Sequence, residues 1–241
     1  MSIPKVLHYI WIGGNPLPKI AEKCIASWKK YCPDYEIKRW DESNLNIDIN
    51  KYCRQAYDAK KYAFASDTLR YDILKREGGI YLDIDVELLK PIDEFLNCET
   101  FCGFENAKEL VVNPGLIMGS VKDGEIVSKM VERYNKDSFL NTDGTNNYET
   151  VCVKTTNLLK EEYGLKLENK VQELGAVKVF ASEYFNPTNL ITQKTKITPN
   201  TVSIHHYCAS WYTGKMKFKR GVKTFLNKIT FGLFGKLFLN K

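Results

Sequence analysis

Residues 66–87 read Ser-Asp-Thr-Leu-Arg-Tyr-Asp-Ile-Leu-Lys-Arg-Glu-Gly-Gly-Ile-Tyr-Leu-Asp-Ile-Asp-Val-Glu. Leu69, Ile73 and Leu74 fall at helical spacing and give one apolar stripe. Gly78 and Gly79 then stop the helix, because glycine accepts the left-handed conformation a C-terminal cap requires. Beyond them Ile80, Leu82, Ile84 and Val86 alternate with Tyr81, Asp83, Asp85 and Glu87, which is the period of a strand.

On that reading Asp83 and Asp85 share one side of a strand, roughly 6.6 Å apart by strand rise. Two carboxylates on one face repel, and burying them unpaired is costly. A divalent cation removes the penalty, and Mg²⁺ or Mn²⁺ prefers such oxygen ligands, usually shared with substrate phosphates. The plain alternative is a solvated strand end with two surface acids. Against it stands the apolar strand that precedes them, which ends in three acids within five residues. Asp67 and Arg70 are neighbours on one helical face. They form either a simple intrahelical ion pair or an acid for sugar hydroxyls beside a guanidinium for phosphate.

Working outward, Val6–Ile12 is a β-prone run that leads into Gly13-Gly14-Asn15-Pro16. A buried first strand entering a tight glycine loop is the pattern of an open α/β sheet, whose ligands sit past the strands' carboxyl ends. It is neither a dinucleotide nor a Walker motif. Trp11 there is either a core residue or a platform for a nucleobase. Lys19–Tyr31 reads as a helix, Tyr35–Trp40 as a strand, and a further helix lies near 50–57. After the central unit, 91–95 is a turn or short helix, and 101–104 and 115–118 are strands. Asn113-Pro114-Gly115 is a turn that could equally touch substrate. Residues 124–134 and 149–163 read as helices, 136–148 as a mobile polar loop, and 177–180 as a strand. A short strand at 201–204 runs into His205 and His206, followed by Ser210 and Trp211. Two adjacent histidines just after a strand are either structural or supply a nitrogen ligand to the acid-bound metal.

The chain of 241 residues has 35 Lys and Arg against 29 Asp and Glu, a net +6. Residues 215–241 hold eight of the bases and no acid, so residues 1–214 carry 27 bases and 29 acids, a net of −2. The body is therefore not a nucleic-acid-binding surface by charge. Phe218, Val222, Phe225, Leu226, Ile229, Leu233 and Leu237 share one helical face of the tail. That is the composition of an amphipathic helix lying on anionic lipid, or of a helix packed on its own domain. We therefore divide the chain into a catalytic domain, 1–214, and a basic membrane-associating tail, 215–241. Seven scattered cysteines without a Cys-x-x-Cys pair suggest reduced thiols and no zinc framework. Met1–Gly14 lacks the apolar run of a signal peptide, and no stretch of eighteen apolar residues exists. A cytoplasmic protein, peripheral on the inner face of the membrane, is expected.

Several of these stretches together resemble glycosyltransferase family 32. They are Ile3-Pro4-Lys5-Val6-Leu7-His8-Tyr9-Ile10-Trp11-Ile12-Gly13-Gly14, the Ala65-Ser66-Asp67-x-x-Arg70-Tyr71-x-x-Leu74 helix, Gly78-Gly79-x-Tyr81-x-Asp83-x-Asp85, and the late His205-His206 with Ser210-Trp211. That family includes initiating mannosyltransferases and capsule or lipopolysaccharide sugar transferases, and the catalytic domains of large clostridial glucosylating toxins are similar in the same places. The resemblance implies an α/β GT-A fold, a Rossmann-like mixed sheet flanked by helices. It implies a nucleotide-sugar donor (UDP-Gal, UDP-Glc or GDP-Man), Mn²⁺ or Mg²⁺, and retention of anomeric configuration. By match to the motif, Trp11 stacks on the base, with Ile12, Gly13 and Tyr81 in the donor site. Asp67 contacts ribose or sugar, and Arg70 the sugar and phosphates. Asp83 holds ribose and metal, Asp85 ligates the metal, and Ser210 and Trp211 close over the diphosphate. A ligand role for His205 or His206 rests more on chemistry than on the match. The expected function is transfer of a hexose to a glycan acceptor, lipid-linked, in surface polysaccharide biosynthesis. The competing expectations are a protein acceptor, a metal-dependent phosphohydrolase, and a non-catalytic lipid-binding protein.

Overall fold

A computed structural model describes residues 2–105, 110–189, 192 and 194–208. Ser210, Trp211 and the tail lie outside the described residues. Among these residues ten strands and six α-helices follow in the order β1 (Val6–Ile10), α1 (Lys19–Tyr31), β2 (Glu36–Trp40), α2 (Lys51–Asp58), α3 (Tyr62–Glu77), β3 (Gly79–Tyr81), β4 (Val86–Leu88), β5 (Thr100–Glu105), β6 (Val111–Val112), β7 (Met118–Ser120), α4 (Glu125–Lys136), α5 (Val151–Tyr163), β8 (Gln172–Glu173), β9 (Val177–Phe180), α6 (Ser182–Phe185) and β10 (Ser203–His205). The large sheet runs β2-β1-β3-β7-β5-β9-β8, with β6 paired to β5. β1 is parallel to β2 and β3, β7 is antiparallel to both its neighbours, and β9 is parallel to β5. This is the mixed α/β sheet flanked by helices that was expected.

Both faces of the sheet are covered. Leu7 and Tyr9 of β1, with Ile80 of β3, pack with Ala21, Cys24 and Trp28 of α1 and with Phe95, Phe101 and Phe185. Ile10 and Tyr81, pointing the other way, join α2, α3, α4 and α5 through Tyr52, Leu69, Met130 and Leu158. The period of two in each strand sorts the side chains between these two cores. Helix α3 lies deep, with Asp67–Tyr71, Ile73 and Leu74 all buried, so its apolar stripe marks one side of a helix wrapped by protein all round. Gly78, at φ +67°, ends it with its N–H on the Leu74 carbonyl, as the double glycine predicted. Gly79 is required by closeness as well as conformation: at φ +94°, a Cβ there would lie 2.6 Å from His8 Nε2.

One expectation is corrected. Residues 80–87 are not one strand. β3 ends at Tyr81, and Leu82–Asp85 form a turn closed by Val86 N–H on the Asp83 carbonyl at 3.0 Å. The chain resumes as β4, which leaves the large sheet and pairs antiparallel with β10, His205 opposite Val86. The polar loop at 136–148 is folded on itself, with Leu140 bridged to Asn146, and is tied to α2 through Gln55. No disulfide joins the cysteines, and no helix among the described residues is long and apolar enough to cross a membrane.

Candidate active site

The carboxyl ends of β1 and β3, the start of α3, the 82–85 turn, the end of β5, the start of α5 and the residues after β10 surround a cleft of about 380 Å³. Trp11, Ile12, Asp67, Arg70, Tyr81, Asp83, Asp85 and His205 all line it. Residues spread over almost two hundred positions thus meet where an open α/β sheet places its ligands. Gly13 stands behind the wall: at φ +95°, a Cβ on it would lie 2.4 Å from the Tyr62 ring, and Tyr62 lines the cleft.

Arg70 is held from three sides. Nη2 donates to Asp67 Oδ1 at 2.7 Å, and Nε donates to the Ser66 carbonyl at 3.3 Å. Its guanidinium carbon sits 4.6 Å from the centre of the Tyr81 ring. Nη1 is 3.6 Å from Asp83 Oδ1 and is buried without a hydrogen-bond partner among the described residues. Buried donors are nearly always satisfied, so an orphan on a guanidinium that lines a cleft marks a place for a ligand acceptor. Burial pushes the Asp67 carboxyl up, with Arg70 pulling the other way.

The two acids differ. Asp83 is the more exposed and accepts from the Tyr81 hydroxyl at 2.9 Å, while its backbone N–H donates to the Gly115 carbonyl at 3.0 Å. Asp85 is buried, with Oδ1 3.0 Å from His205 Nε2 and Oδ2 accepting from the Cys208 N–H at 2.7 Å. Burial alone would raise the Asp85 carboxyl, but the charge and hydrogen bond of His205 and the Cys208 N–H hold it below its usual range. Burial opposes the His205 imidazolium too, and the Asp85 carboxylate outweighs it, so its pKa is raised.

The adjacent histidines part company. His205, on β10, faces both acids and lies 3.9 Å from Asp83 Oδ2. His206 turns away to Glu87 at 2.8 Å, which also binds Lys23 at 2.7 Å, and it does not line the cleft. Two carboxylates and an imidazole are the donor types Mg²⁺ and Mn²⁺ accept. The separation of His205 from Asp83 is also within the ~4.2 Å that two ligands of one such ion can span. Asp85 already has both oxygens engaged, and no three such groups converge among the described residues. The donor chemistry fits a divalent ion, with Asp83 Oδ2 the oxygen that accepts no hydrogen bond among the described residues.

Glu105, Asn113, Thr150, Cys152 and Tyr207 also line the cleft. Tyr207, at φ +48°, donates to Glu105 Oε1 at 2.7 Å and accepts from Asn186 at 2.6 Å, which ties the segment carrying His205 to β5. Glu105 and Tyr207 belong to no motif. The available signal was the place of Glu105 at the end of a predicted strand, the edge where ligands gather.

Residues 18–102 match the family described as a glycosyltransferase sugar-binding region containing a DXD motif. The chain is 27% identical over 202 residues to an uncharacterised glycosyltransferase, L373, of Acanthamoeba polyphaga mimivirus, covering 80% of this chain and 76% of that protein. It is 34% identical over 104 residues to inositol phosphoceramide mannosyltransferase 3 of Schizosaccharomyces pombe, covering 40% of this chain and only 28% of that enzyme. Among solved structures, PaToxG glycosyltransferase superposes with a TM-score of 0.49 at 22% identity, over 68% of this chain and 71% of that one. The matched stretch runs from the start of α1 into β5, through the Asp67–Arg70 pair and both acids of the turn, and over it this chain is similar to glycosyltransferases that carry a DXD sugar-binding region.

Proposed function

We propose that the protein moves a hexose from a nucleotide-diphosphate sugar to a glycan acceptor with retention of configuration. The observation that carries this reading is the buried Arg70 Nη1, a guanidinium donor with no hydrogen-bond partner among the described residues, beside Asp83 in the cleft. Its natural complement is an oxyanion such as a diphosphate. Asp67 holds the guanidinium in place, and Tyr81 supports both its face and the Asp83 carboxylate. Charge developing on the leaving diphosphate would be met by a fixed cation that needs no rearrangement. Asp83, Asp85 and His205 are the residues that would hold Mn²⁺ or Mg²⁺, which when bound supplies further neutralisation of that charge. Trp11, half-buried on the cleft wall with its ring N–H fixed on the Asn15 carbonyl at 2.6 Å, offers a surface for the base.

A thermal-shift panel of UDP- and GDP-sugars with and without Mn²⁺ tests this. Saturating donor should stabilise the full chain by about 2.7 kcal/mol at a hundredfold excess over Kd, for one nucleotide class and only with the metal. No shift with any donor would remove the reading.

A further inference from the structure

We infer that Tyr148, backed by Phe64, forms a stacking subsite for a sugar ring of the acceptor at the rim of the cleft. This deepens the function proposed above and rests on it.

Tyr62, Ala63 and Phe64 are half-buried residues at the start of α3 and line the cleft. The Phe64 ring lies 5.6 Å from that of Tyr148, and both pack against Phe139, at 5.2 and 6.2 Å. Tyr148 is the outermost of the three and is 55% exposed. Single exposed aromatics are ordinary on protein surfaces. This one differs because it continues an aromatic wall out of a ligand cleft.

The ring is also held in place before any ligand arrives. Asn147 N–H donates to the Phe139 carbonyl at 2.7 Å, and Gln55 Oε1 accepts from Ser138 Oγ, Phe139 N and Leu140 N. The tyrosine hydroxyl accepts from Asn146 Nδ2 at 3.0 Å, and the Lys61 ammonium stands 5.7 Å from the ring centre. A rigid aromatic surface edged by amide, hydroxyl and ammonium donors costs little to order on binding. It complements a pyranose, which has an apolar C–H face and a rim of hydroxyls. The anionic half of a donor has its complement deeper in the cleft at Arg70, which leaves the rim to the uncharged acceptor.

The test is saturation-transfer NMR on the full chain with methyl β-galactoside and methyl α-mannoside, together with titration of the nucleotide sugar found by thermal shift. Saturation should reach the glycoside ring protons in the native protein and in Tyr148→Phe, and fall about fivefold in Tyr148→Ala, from the usual worth of an aromatic face. Donor affinity should be the same in all three. Equal saturation in Tyr148→Ala, no saturation in the native protein, or weakened donor binding in Tyr148→Ala would each overturn the subsite. Absence of donor binding in the native protein would instead strike at the transferase reading itself.

Discussion

Arg70→Lys keeps a positive charge but removes the planar fork that reaches Asp67 and leaves Nη1 facing the cleft. Donor turnover should drop about a hundredfold, the usual cost of losing one fixed donor at a developing anion. Thermal stability should change far less, and turnover close to that of the native protein would clear Arg70 of the role. In Asp85→Asn, the His205 interaction becomes a neutral one, and donor hydrolysis should lose its response to added Mn²⁺; an unchanged metal titration curve rejects the assignment. Away from the site, His8 is fully buried, takes a hydrogen bond on Nδ1 from Trp40 and donates from Nε2 to the Gly78 carbonyl. Burial lowers its pKa from 6.5 to about 4, against the pull of that carbonyl. Above pH 6.5 the ring is neutral folded or unfolded and contributes no pH dependence. Below it the unfolded chain takes up a proton that the folded chain refuses, so stability falls as pH drops toward 4, by up to about 3 kcal/mol. Urea midpoints between pH 7 and 4.5 should show this slope, and a His8→Gln variant, whatever its overall stability, should show less of it; equal slopes would assign the acid sensitivity elsewhere.

The 113–116 turn between β6 and β7 is built around a missing side chain. A Cβ on Gly115 would stand 2.2 Å from Asp83 Oδ2 and 3.1 Å from Arg70 Nη1. Gly115→Ala should therefore lower stability by about 1–3 kcal/mol through overpacking. It should lower donor turnover by at least about tenfold, because it displaces Asp83 from its place. Turnover unaffected by the substitution would show that Asp83 tolerates movement. Gly115 was legible in the sequence as the end of a turn that could touch substrate, but not as a neighbour of Asp83, which is remote from it in the chain. The helix α3, its glycine stop and the strand β1 were readable because local periodicity and cap chemistry decide them. The 80–87 alternation misled because a tight turn at 82–85 preserves the in-out rhythm while breaking the ladder, and no glycine or proline marks it. Likewise the choice between His205 and His206 is made by the β4–β10 register, which pairs His205 with Val86, and neighbouring residues give no hint of it.

Across the molecule, the two cores on either side of the sheet leave the cleft at one edge, and the basic stretch 215–241 follows the last strand in sequence. We propose that this stretch holds the enzyme at an anionic membrane surface, where lipid-linked acceptors are found. Deleting residues 215–241 should abolish sedimentation with phosphatidylserine vesicles at low salt and leave donor binding intact; co-sedimentation of the shortened protein would refute it. The pairing of β4 with β10 has a further bearing, on how the protein comes to be active at all. Asp85 sits under the Trp28 and Ser27 anchors of α1 on the adjoining strand, yet its counter-charge arrives 120 positions later in synthesis. Until residue 208 has been made and β10 has docked, Asp85 lacks both the imidazole and the N–H that hold its carboxylate. Nascent or prematurely ended chains can therefore complete most of the sheet and still lack a working centre, so catalytic competence is among the last properties the polypeptide acquires.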